Sequence, residues 1–203
     1  MDRNRRRTGR PPKADPEALR GRLLELVERA GYERTSMGSL AAEVGMSVRT
    51  LHRYFPAKAD IVWGGIEVSV EALTAELHAA DDHRPALDAI ADAVASVFAR
   101  NVDDLAIMRT RLRLIALTPE LRTNRSETFE GWRHAIIAFI ASRRGETTES
   151  LVAVTAGTAI HTTIMEALSW WALRSELVDP SGCITDALRG LTTLDGSPGR
   201  SDQ

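Results

Sequence analysis

The sequence predicts an all-α protein with an N-terminal three-helix helix-turn-helix domain and a larger C-terminal helical domain, about nine helices in total. Apolar residues recur at helical spacing along residues 15–194, and no alternating Val and Ile run bounded by turns is present. The composition, 43% hydrophobic and 27% charged, is typical of a globular chain. A length of 203 residues is compatible with two small domains.

The charge is divided unevenly along the chain. Residues 1–60 hold 13 Lys and Arg against 8 Asp and Glu, a net charge of +5, whereas residues 61–203 hold 13 against 20, a net charge of −7. A basic segment attracts phosphate groups, whereas an acidic segment is repelled by them. The charge pattern therefore favours a nucleic-acid-binding N-terminal part.

The first helix is framed by clear start and stop signals. Residues 1–14 precede it and are predicted to form a disordered basic arm, because they are rich in Arg and lack apolar periodicity. Asp15 is a suitable N-cap and Pro16 suits the first helical position. Gly31 can adopt the left-handed backbone conformation that ends a helix. Apolar residues recur between them at helical spacing: Leu19, Leu23, Leu26, Val27 and Ala30.

Two short helices follow the first one. Thr35 or Ser36 is the expected cap of the second helix, and Gly45 breaks it because glycine readily adopts a positive φ. Ser47 is the expected cap of the third helix. Two helices joined by a short turn that contains glycine predict a helix-turn-helix domain over residues 15–60.

The third helix is predicted to have a basic outer face. Leu51 and Phe55 lie one turn apart and are expected to face the core, so the 100° step of a helix puts Arg49 and Arg53 on the opposite side. Either Arg taken alone is more often a solvated surface residue. The ordered set of cap, turn, core residues and basic face is more specific, and it favours a helix that reads the major groove.

The remaining chain is predicted to form six more helices. The fourth, residues 57–79, is expected to run unbroken into the C-terminal domain. Gly64 and Gly65 lie inside it and indicate either a hinge or a close approach to the first helix. Residues 61–194 form the larger helical domain, and residues 195–203 are a predicted disordered tail. The other five helices are expected at residues 86–100, 104–117, 119–144, 148–174 and 180–194.

The sequence favours a protein that stays in the cytoplasm. Cys183 is the single cysteine, which excludes an intramolecular disulfide and is typical of a reducing compartment. No apolar segment of a signal peptide follows Met1. The longest uncharged stretch, residues 150–165, falls short of the roughly 20 apolar residues that a bilayer span requires. We therefore expect no transmembrane helix.

An enzyme is the main alternative class of protein. The sequence has no GxGxxG, GxxxxGK[ST] or HExxH motif and no cysteine pair for a metal, so we expect no catalytic residue, metal or cofactor. One group of side chains resembles metal ligands, but its position at a helix end favours a solvated loop. That group is His78, Asp81, Asp82 and His83.

The helix-turn-helix segment resembles the tetracycline-repressor (TetR) family of bacterial regulators. The stretch SVRTLHRYFPAK, residues 47–58, preceded by LAAEVG, residues 40–45, is similar to the signature of that family. The resemblance is strongest over residues 15–65. It implies a transcriptional repressor that a small apolar ligand releases from a palindromic operator. A constitutive helical DNA-binding adaptor without a sensor role is the alternative.

The resemblance also implies which residues contact DNA. Base contacts are implied for Arg49, Thr50 and His52, although Arg49 stands where Gly is usual and His52 where Tyr is usual. In the arm, Gly9-Arg10-Pro11 resembles the core of an AT-hook that enters the minor groove, and a solubilising tail is an equal alternative. The full implied DNA-binding set is Thr35, Ser36, Ser47, Arg49, Thr50, His52, Tyr54, Lys58 and Arg10.

In the C-terminal domain, the resemblance implies a homodimer. Helices over residues 148–174 and 180–194 would pack against their counterparts in a second subunit. A stripe of small and apolar residues indicates close helix packing, either inside the subunit or across the dimer, and the two-fold symmetry of operators favours the dimer. The stripe consists of Ala153, Ala156, Gly157, Ile160, Ile164 and Leu168.

The same domain is implied to hold the ligand between the fourth and eighth predicted helices. Residues 111–134 are similar to the sensor domain of mycofactocin-system regulators, a TetR subgroup for which acyl-CoA ligands are implied. For each candidate pocket residue, ordinary core packing is the alternative. The candidates are Phe98, Met108, Phe129, Trp132, Phe139, His161, Met165 and Trp170.

Overall fold

A computed structural model describes residues 15–64, 67–100, 105–123 and 127–193. The described residues form eleven helices and contain no strand, which confirms the all-α prediction. The predicted arm, residues 1–14, and the predicted tail, residues 195–203, lie outside this part. The helices are α1 (Pro16–Ala30), α2 (Met37–Glu43), α3 (Val48–Tyr54), α4 (Lys58–Trp63), α5 (Glu67–Ala79), α6 (Ala86–Ala99), α7 (Leu105–Leu117), α8 (Pro119–Thr123), α9 (Glu127–Arg144), α10 (Leu151–Arg174) and α11 (Ser181–Thr193).

The first two helices begin and end at the signals in the sequence. Asp15 caps α1 by accepting a hydrogen bond from the backbone amide of Glu17, and Gly31 ends the helix with a φ of 88°. Ser36 caps α2, because its Oγ accepts from the backbone amide of Ser39 at 3.1 Å. These contacts confirm the predicted caps of both helices.

The prediction of one unbroken fourth helix is wrong. α4 ends before Gly64, whose backbone is extended with φ −71° and ψ 160°. α5 begins at Glu67, and residues 65–66 lie outside the described part. The chain therefore passes from the helix-turn-helix to the C-terminal domain through two helices.

A side chain of α1 caps the end of α4. Nη1 of Arg20 donates to the carbonyl oxygen of Asp60 at 2.6 Å and to that of Ile61 at 3.3 Å. The last carbonyl groups of a helix have no partner inside the helix, so a buried guanidinium satisfies them well. Of the two interpretations of the glycine pair, this geometry favours close approach to the first helix at Gly64.

The buried side chains form two clusters. The N-terminal cluster is made mainly by α1 to α4 and includes Ile61 and Val62, so it reaches beyond residue 60. The C-terminal cluster is made mainly by α5, α6, α9, α10 and α11. α7 contributes to both, with Leu105 in the C-terminal cluster and Leu114 in the N-terminal one. α7 is therefore a direct packing connection between the two parts.

The predicted helix over residues 119–144 corresponds to α8 and α9. Residues 124–126 between them lie outside the described part. α8 contributes Leu121 to the N-terminal cluster, whereas α9 contributes Trp132 and Ile136 to the C-terminal cluster. Together with α4 and α5, this pair explains why eleven helices are described where nine were expected.

The small-residue stripe of α10 lies inside the subunit. Ile160, Ile164 and Leu168 are buried in the C-terminal cluster. A Cβ on Gly157 would lie 2.6 Å from Cγ1 of Ile137, so α10 and α9 cross closely at this glycine. The preference for a dimer contact at this stripe is therefore wrong, and the intramolecular alternative is correct.

α10 is also longer than the uncharged stretch that the sequence suggested. Its 24 residues make it, among the described helices, long and apolar enough to cross a membrane by length and composition alone. It packs against α7, α9 and α11, and Trp171 and Ile164 are fully buried in these contacts. These contacts indicate a core helix of the C-terminal domain.

Candidate DNA-binding surface and C-terminal sites

The turn between α2 and α3 has the backbone geometry that the sequence predicts. Gly45 has a φ of 70°, a conformation that strains residues with a side chain. The backbone amide of Met46 donates to the carbonyl oxygen of Ala41 at 2.8 Å and closes the turn. Ser47 then caps α3, because its Oγ accepts from the backbone amide of Thr50 at 3.1 Å. These bonds fix the direction in which α3 leaves the turn.

α3 separates an apolar inner face from a basic outer face. Leu51 is 0% exposed and Phe55 is 1% exposed, which confirms the predicted inner face. Arg49, His52 and Arg53 are exposed. The major groove of DNA accepts one helix and presents acceptors that Arg binds well, so this surface suits base recognition.

The flanks of α3 are held by local contacts. Nδ1 of His52 lies 2.9 Å from the carbonyl oxygen of Pro56. Because a carbonyl oxygen only accepts, Nδ1 carries the proton in this contact, and Nε2 of a neutral ring is then an acceptor. The guanidinium of Arg53 lies 5.6 Å from the ring centre of the half-buried Tyr54. Local contacts therefore hold the side chains of His52 and Tyr54 on the flanks of α3, while Arg49 stays exposed.

Thr35 does not share the exposed surface of the other candidates. Its side chain is 9% exposed, and its Oγ1 donates to the carbonyl oxygen of Tyr32 at 2.9 Å. Ser36, the next residue, is exposed at the start of α2. Of these two neighbours in the implied DNA-binding set, Thr35 is therefore buried and Ser36 is on the surface.

Lys58 is engaged inside the protein. Its Nζ donates to the carbonyl oxygens of Tyr32 at 2.7 Å and Thr35 at 3.0 Å, and it lies 3.9 Å from the ring centre of Tyr32. Burial, with a contribution from Glu120, raises the pKa of Tyr32 to about 12, so the ring stays neutral beneath the ammonium group. Lys58 thus ties the loop between α1 and α2 to the start of α4.

The sequence analysis did not predict that Lys58 bonds to the loop before α2, or that Arg20 caps α4. The available signal for Arg20 was its position on the apolar face of α1, next to Leu19 and one turn before Leu23 and Leu24. Such a position predicts a buried charge that needs partners. Glu17, three residues earlier, is a local partner of Arg20. The carbonyl groups of Asp60 and Ile61 could not be named, because they lie 40 and 41 residues further along the chain.

Five of the eight candidate pocket residues lie in or against the C-terminal cluster, and two more form a ring pair. Phe98, Trp132 and Phe139 are buried in the C-terminal cluster, and Met108 and Met165 pack against it. Phe129 and the buried His161 form an edge-to-face pair with ring centres 4.3 Å apart. The eighth, Trp170, is 48% exposed on the opposite side of α10 and does not join the others.

Trp170 lines an outer groove of about 850 Å³ between α10 and α11. Leu177, Cys183 and Ala187 also line this groove, and Leu173 is a further exposed apolar side chain of α10. Contiguous exposed apolar side chains usually mark a surface that another molecule covers. This outer face, rather than the predicted stripe, is the candidate for contact with a second chain.

The loop between α5 and α6 matches its prediction as a solvated segment. His78, Asp81, Asp82 and His83 are all exposed. Over the described ranges, no group of three or more His, Cys, Asp or Glu side chains is placed to hold a metal ion.

Two family models match the chain. The family described as bacterial regulatory proteins, tetR family, matches residues 23–62, and the family described as MftR C-terminal domain matches residues 84–194. A mycofactocin biosynthesis transcriptional regulator, MftR, of Mycobacterium tuberculosis is 28% identical over 182 residues, which span 90% of this chain and 89% of that protein. The matches cover both the DNA-binding segment and the C-terminal domain.

Solved structures share the fold. The Thermus thermophilus FadR repressor, crystallised in complex with lauroyl-CoA, is 18% identical with a TM-score of 0.55, over 93% of this chain and 99% of its own. A second regulator from Thermus thermophilus, PfmR, is 21% identical with a TM-score of 0.52, over 85% of this chain and 98% of its own. Both similarities extend from the helix-turn-helix through the C-terminal helices.

Proposed function

Because the chain belongs to the TetR family of bacterial transcriptional regulators, we propose that it is a repressor that binds a palindromic operator as a homodimer and leaves it when a small apolar ligand binds. Regulators of this family bind DNA and are not enzymes. The observation that carries the proposal is the geometry of α3, in which Leu51 and Phe55 are buried and Arg49 is exposed.

The DNA contacts are assigned to α3 and to the starts of α2 and α4. Arg49, Thr50 and His52 contact bases, because they lie on or beside the exposed face of α3. Phosphate contacts come from residues at the edges of this surface, and phosphate contacts position a protein without reading sequence. They are Ser36, Ser47, Tyr54 and Lys58. Arg10 of the basic arm is assigned to the minor groove, as its resemblance to an AT-hook implies.

The homodimer is assigned to the outer face of α10 and α11. Trp170 and Leu173 are large apolar side chains that would be poorly placed on a monomer surface. A second copy of the same face is a natural partner, since two-fold interfaces are self-complementary. A dimer also doubles the small contact that a seven-residue recognition helix makes with DNA.

The ligand is assigned to the C-terminal core around Phe129 and His161. Acyl-CoA thioesters are the first class to test, because one structural neighbour was crystallised with lauroyl-CoA and because the C-terminal domain matches the MftR model. An apolar core suits the acyl chain. The buried imidazole of His161 would place a polar group beside the acyl chain.

Selection from random DNA duplexes followed by ligand titration tests the proposal. The protein is expected to enrich a two-fold symmetric sequence, and lauroyl-CoA is expected to lower its affinity for that sequence. By linkage, the operator must weaken lauroyl-CoA binding by the same factor. Enrichment of a symmetric site without any response to thioesters would support the constitutive adaptor. Failure to enrich any sequence would contradict the DNA-binding assignment itself.

A further inference from the structure

Two arginines of α7 reach the C-terminal end of α10. Nη2 of Arg109 donates to the carbonyl oxygen of Trp171 at 3.1 Å and to that of Ser175. One turn later, Arg113 donates to the carbonyl oxygen of Ala172 from Nη2 at 3.3 Å and from Nε at 3.4 Å. The last carbonyl groups of a helix lack partners inside the helix and carry partial negative charge. α7 therefore caps α10 with cations.

Arg113 also reaches α1. Its Nη1 donates to Oε1 of Glu28 at 3.0 Å, and Oγ1 of Thr110 donates to Oε2 of the same carboxylate at 3.1 Å. Both oxygens of Glu28 are thus bound by α7. The guanidinium of Arg113 joins the first helix of the DNA-binding part to the end of α10, whereas the contacts of Arg109 run to the end of α10.

The two helices α1 and α7 also pack closely at the other end of their contact. A Cβ on Gly21 would lie 3.2 Å from Cδ1 of Ile107. The side chains of Arg113 and Glu28 are 42% and 31% exposed, so solvent screens their attraction and the pair adds little to overall stability. A planar guanidinium that holds two fixed acceptors does, however, define an orientation.

We propose that Arg113 is a positioning residue for DNA binding. By holding Glu28 of α1 and the carbonyl group of Ala172 at once, it sets the angle between the DNA-binding part and α10. α10 carries the outer face assigned to the dimer, so this angle sets the distance between the two copies of α3. The inference rests on the proposed homodimer and predicts that Arg113 governs which half-site spacing the protein accepts.

The test compares four variants on matched duplexes. Arg113→Ala, Glu28→Ala and the double variant each break the link between α1 and α7. Arg109→Ala is the control because, within the described ranges, its hydrogen bonds run to the end of α10 and not to α1. The probes are a duplex selected with the wild-type protein and duplexes with the same half-sites and a spacer one or two base pairs longer or shorter. The measured quantity is the ratio of affinities for the selected and altered spacings, with the melting temperature of each variant recorded.

Arg113→Ala and Glu28→Ala are each expected to lower the spacing ratio about threefold to tenfold, and the double variant no further, because the two residues act as one pair. Arg109→Ala is expected to keep the wild-type ratio even where its melting temperature falls. If Arg113→Ala fails to fold, Arg113→Lys is tested instead. It keeps the charge but lacks the planar guanidinium that binds two acceptors at once, so it is expected to lower the ratio as well.

A wild-type ratio in a folded Arg113 variant, or an equal loss in Arg109→Ala, would overturn the inference and leave the proposed function in place. A wild-type protein that accepts all spacings equally would overturn both the inference and the proposed dimer.

Discussion

The guanidinium of Arg20 occupies the space that a side chain at Gly64 would need. A Cβ on Gly64 would lie 2.7 Å from Nη1 of Arg20 and 2.7 Å from the carbonyl oxygen of Asp60. The same Nη1 caps α4 through that carbonyl oxygen. Glycine at the end of α4 therefore allows α1 and α4 to lock together at the base of the helix-turn-helix.

Gly64→Ala is expected to lower the free energy of unfolding by about 1–3 kcal/mol, because the new Cβ displaces the cap or shifts the end of α4. Urea unfolding measures the loss. Gly190→Ala on α11 is the control, since a Cβ there meets no other packed group of the described residues within 4 Å, and it should be neutral or stabilising by up to about 1 kcal/mol. Equal stability of the two variants would show that the close approach of Arg20 is unimportant.

The crossing of α9 and α10 gives a second packing prediction. A Cβ on Gly157 would lie 2.6 Å from Cγ1 and 2.9 Å from the backbone Cα of Ile137. Backbone atoms cannot move away by a change of rotamer, as a flexible side chain can. Gly157→Ala is therefore expected to lower the free energy of unfolding by about 3 kcal/mol or more. Thermal unfolding should show this loss for Gly157→Ala and none for the control Gly190→Ala. A variant as stable as the wild type would disprove the close crossing.

Lys58 is expected to affect both folding and DNA binding. Lys58→Ala removes two hydrogen bonds and the contact with the ring of Tyr32, so the free energy of unfolding should fall by about 1–2 kcal/mol. It should also weaken binding to all DNA sequences alike. The slope of the logarithm of the binding constant against the logarithm of salt concentration should become shallower by about one unit. Isotherms at several salt concentrations measure the slope, with Lys58→Arg as a control that keeps the charge. An unchanged slope in Lys58→Ala would remove Lys58 from the phosphate contacts.

The outer face of α10 predicts the oligomeric state. Light scattering of the wild-type protein should give twice the chain mass of 22.3 kDa. Trp170→Glu should give a single chain, because a dimer would bury the new carboxylate without a partner. Val68→Glu is the control, as Val68 is an exposed apolar residue of α5 away from the groove. Monomeric wild-type protein, or dimeric Trp170→Glu, would contradict this assignment.

Local signals made the helix-turn-helix predictable from the sequence. Asp15, Gly31, Gly45 and Ser47 each act on backbone groups within a few residues, so their effect does not depend on the rest of the fold. The inner face of α3 followed from the helical step in the same way. The sequence therefore contained the information that places Arg49 on the outside.

Contacts between distant residues could not be predicted in this way. A glycine in a helical pattern can bend the helix, pack closely or end it, and the choice at Gly64 depends on Arg20 of another helix. The apolar residues of α10 surround much of the helix, so spacing alone did not distinguish the face that packs on α9 from the face that carries Trp170. The clamp of Arg113 on Glu28 likewise joins residues 85 positions apart.

Arg49→Ala shows whether α3 reads operator bases. Its affinity should be measured on the selected operator and on operators with each symmetric pair of base pairs changed, beside Arg189→Ala, an exposed arginine of α11. We expect Arg49→Ala to lose about 1–3 kcal/mol of discrimination at one symmetric pair of positions and to retain it elsewhere, while Arg189→Ala behaves as wild type. Unchanged discrimination at every position in Arg49→Ala would show that α3 does not read operator bases through Arg49.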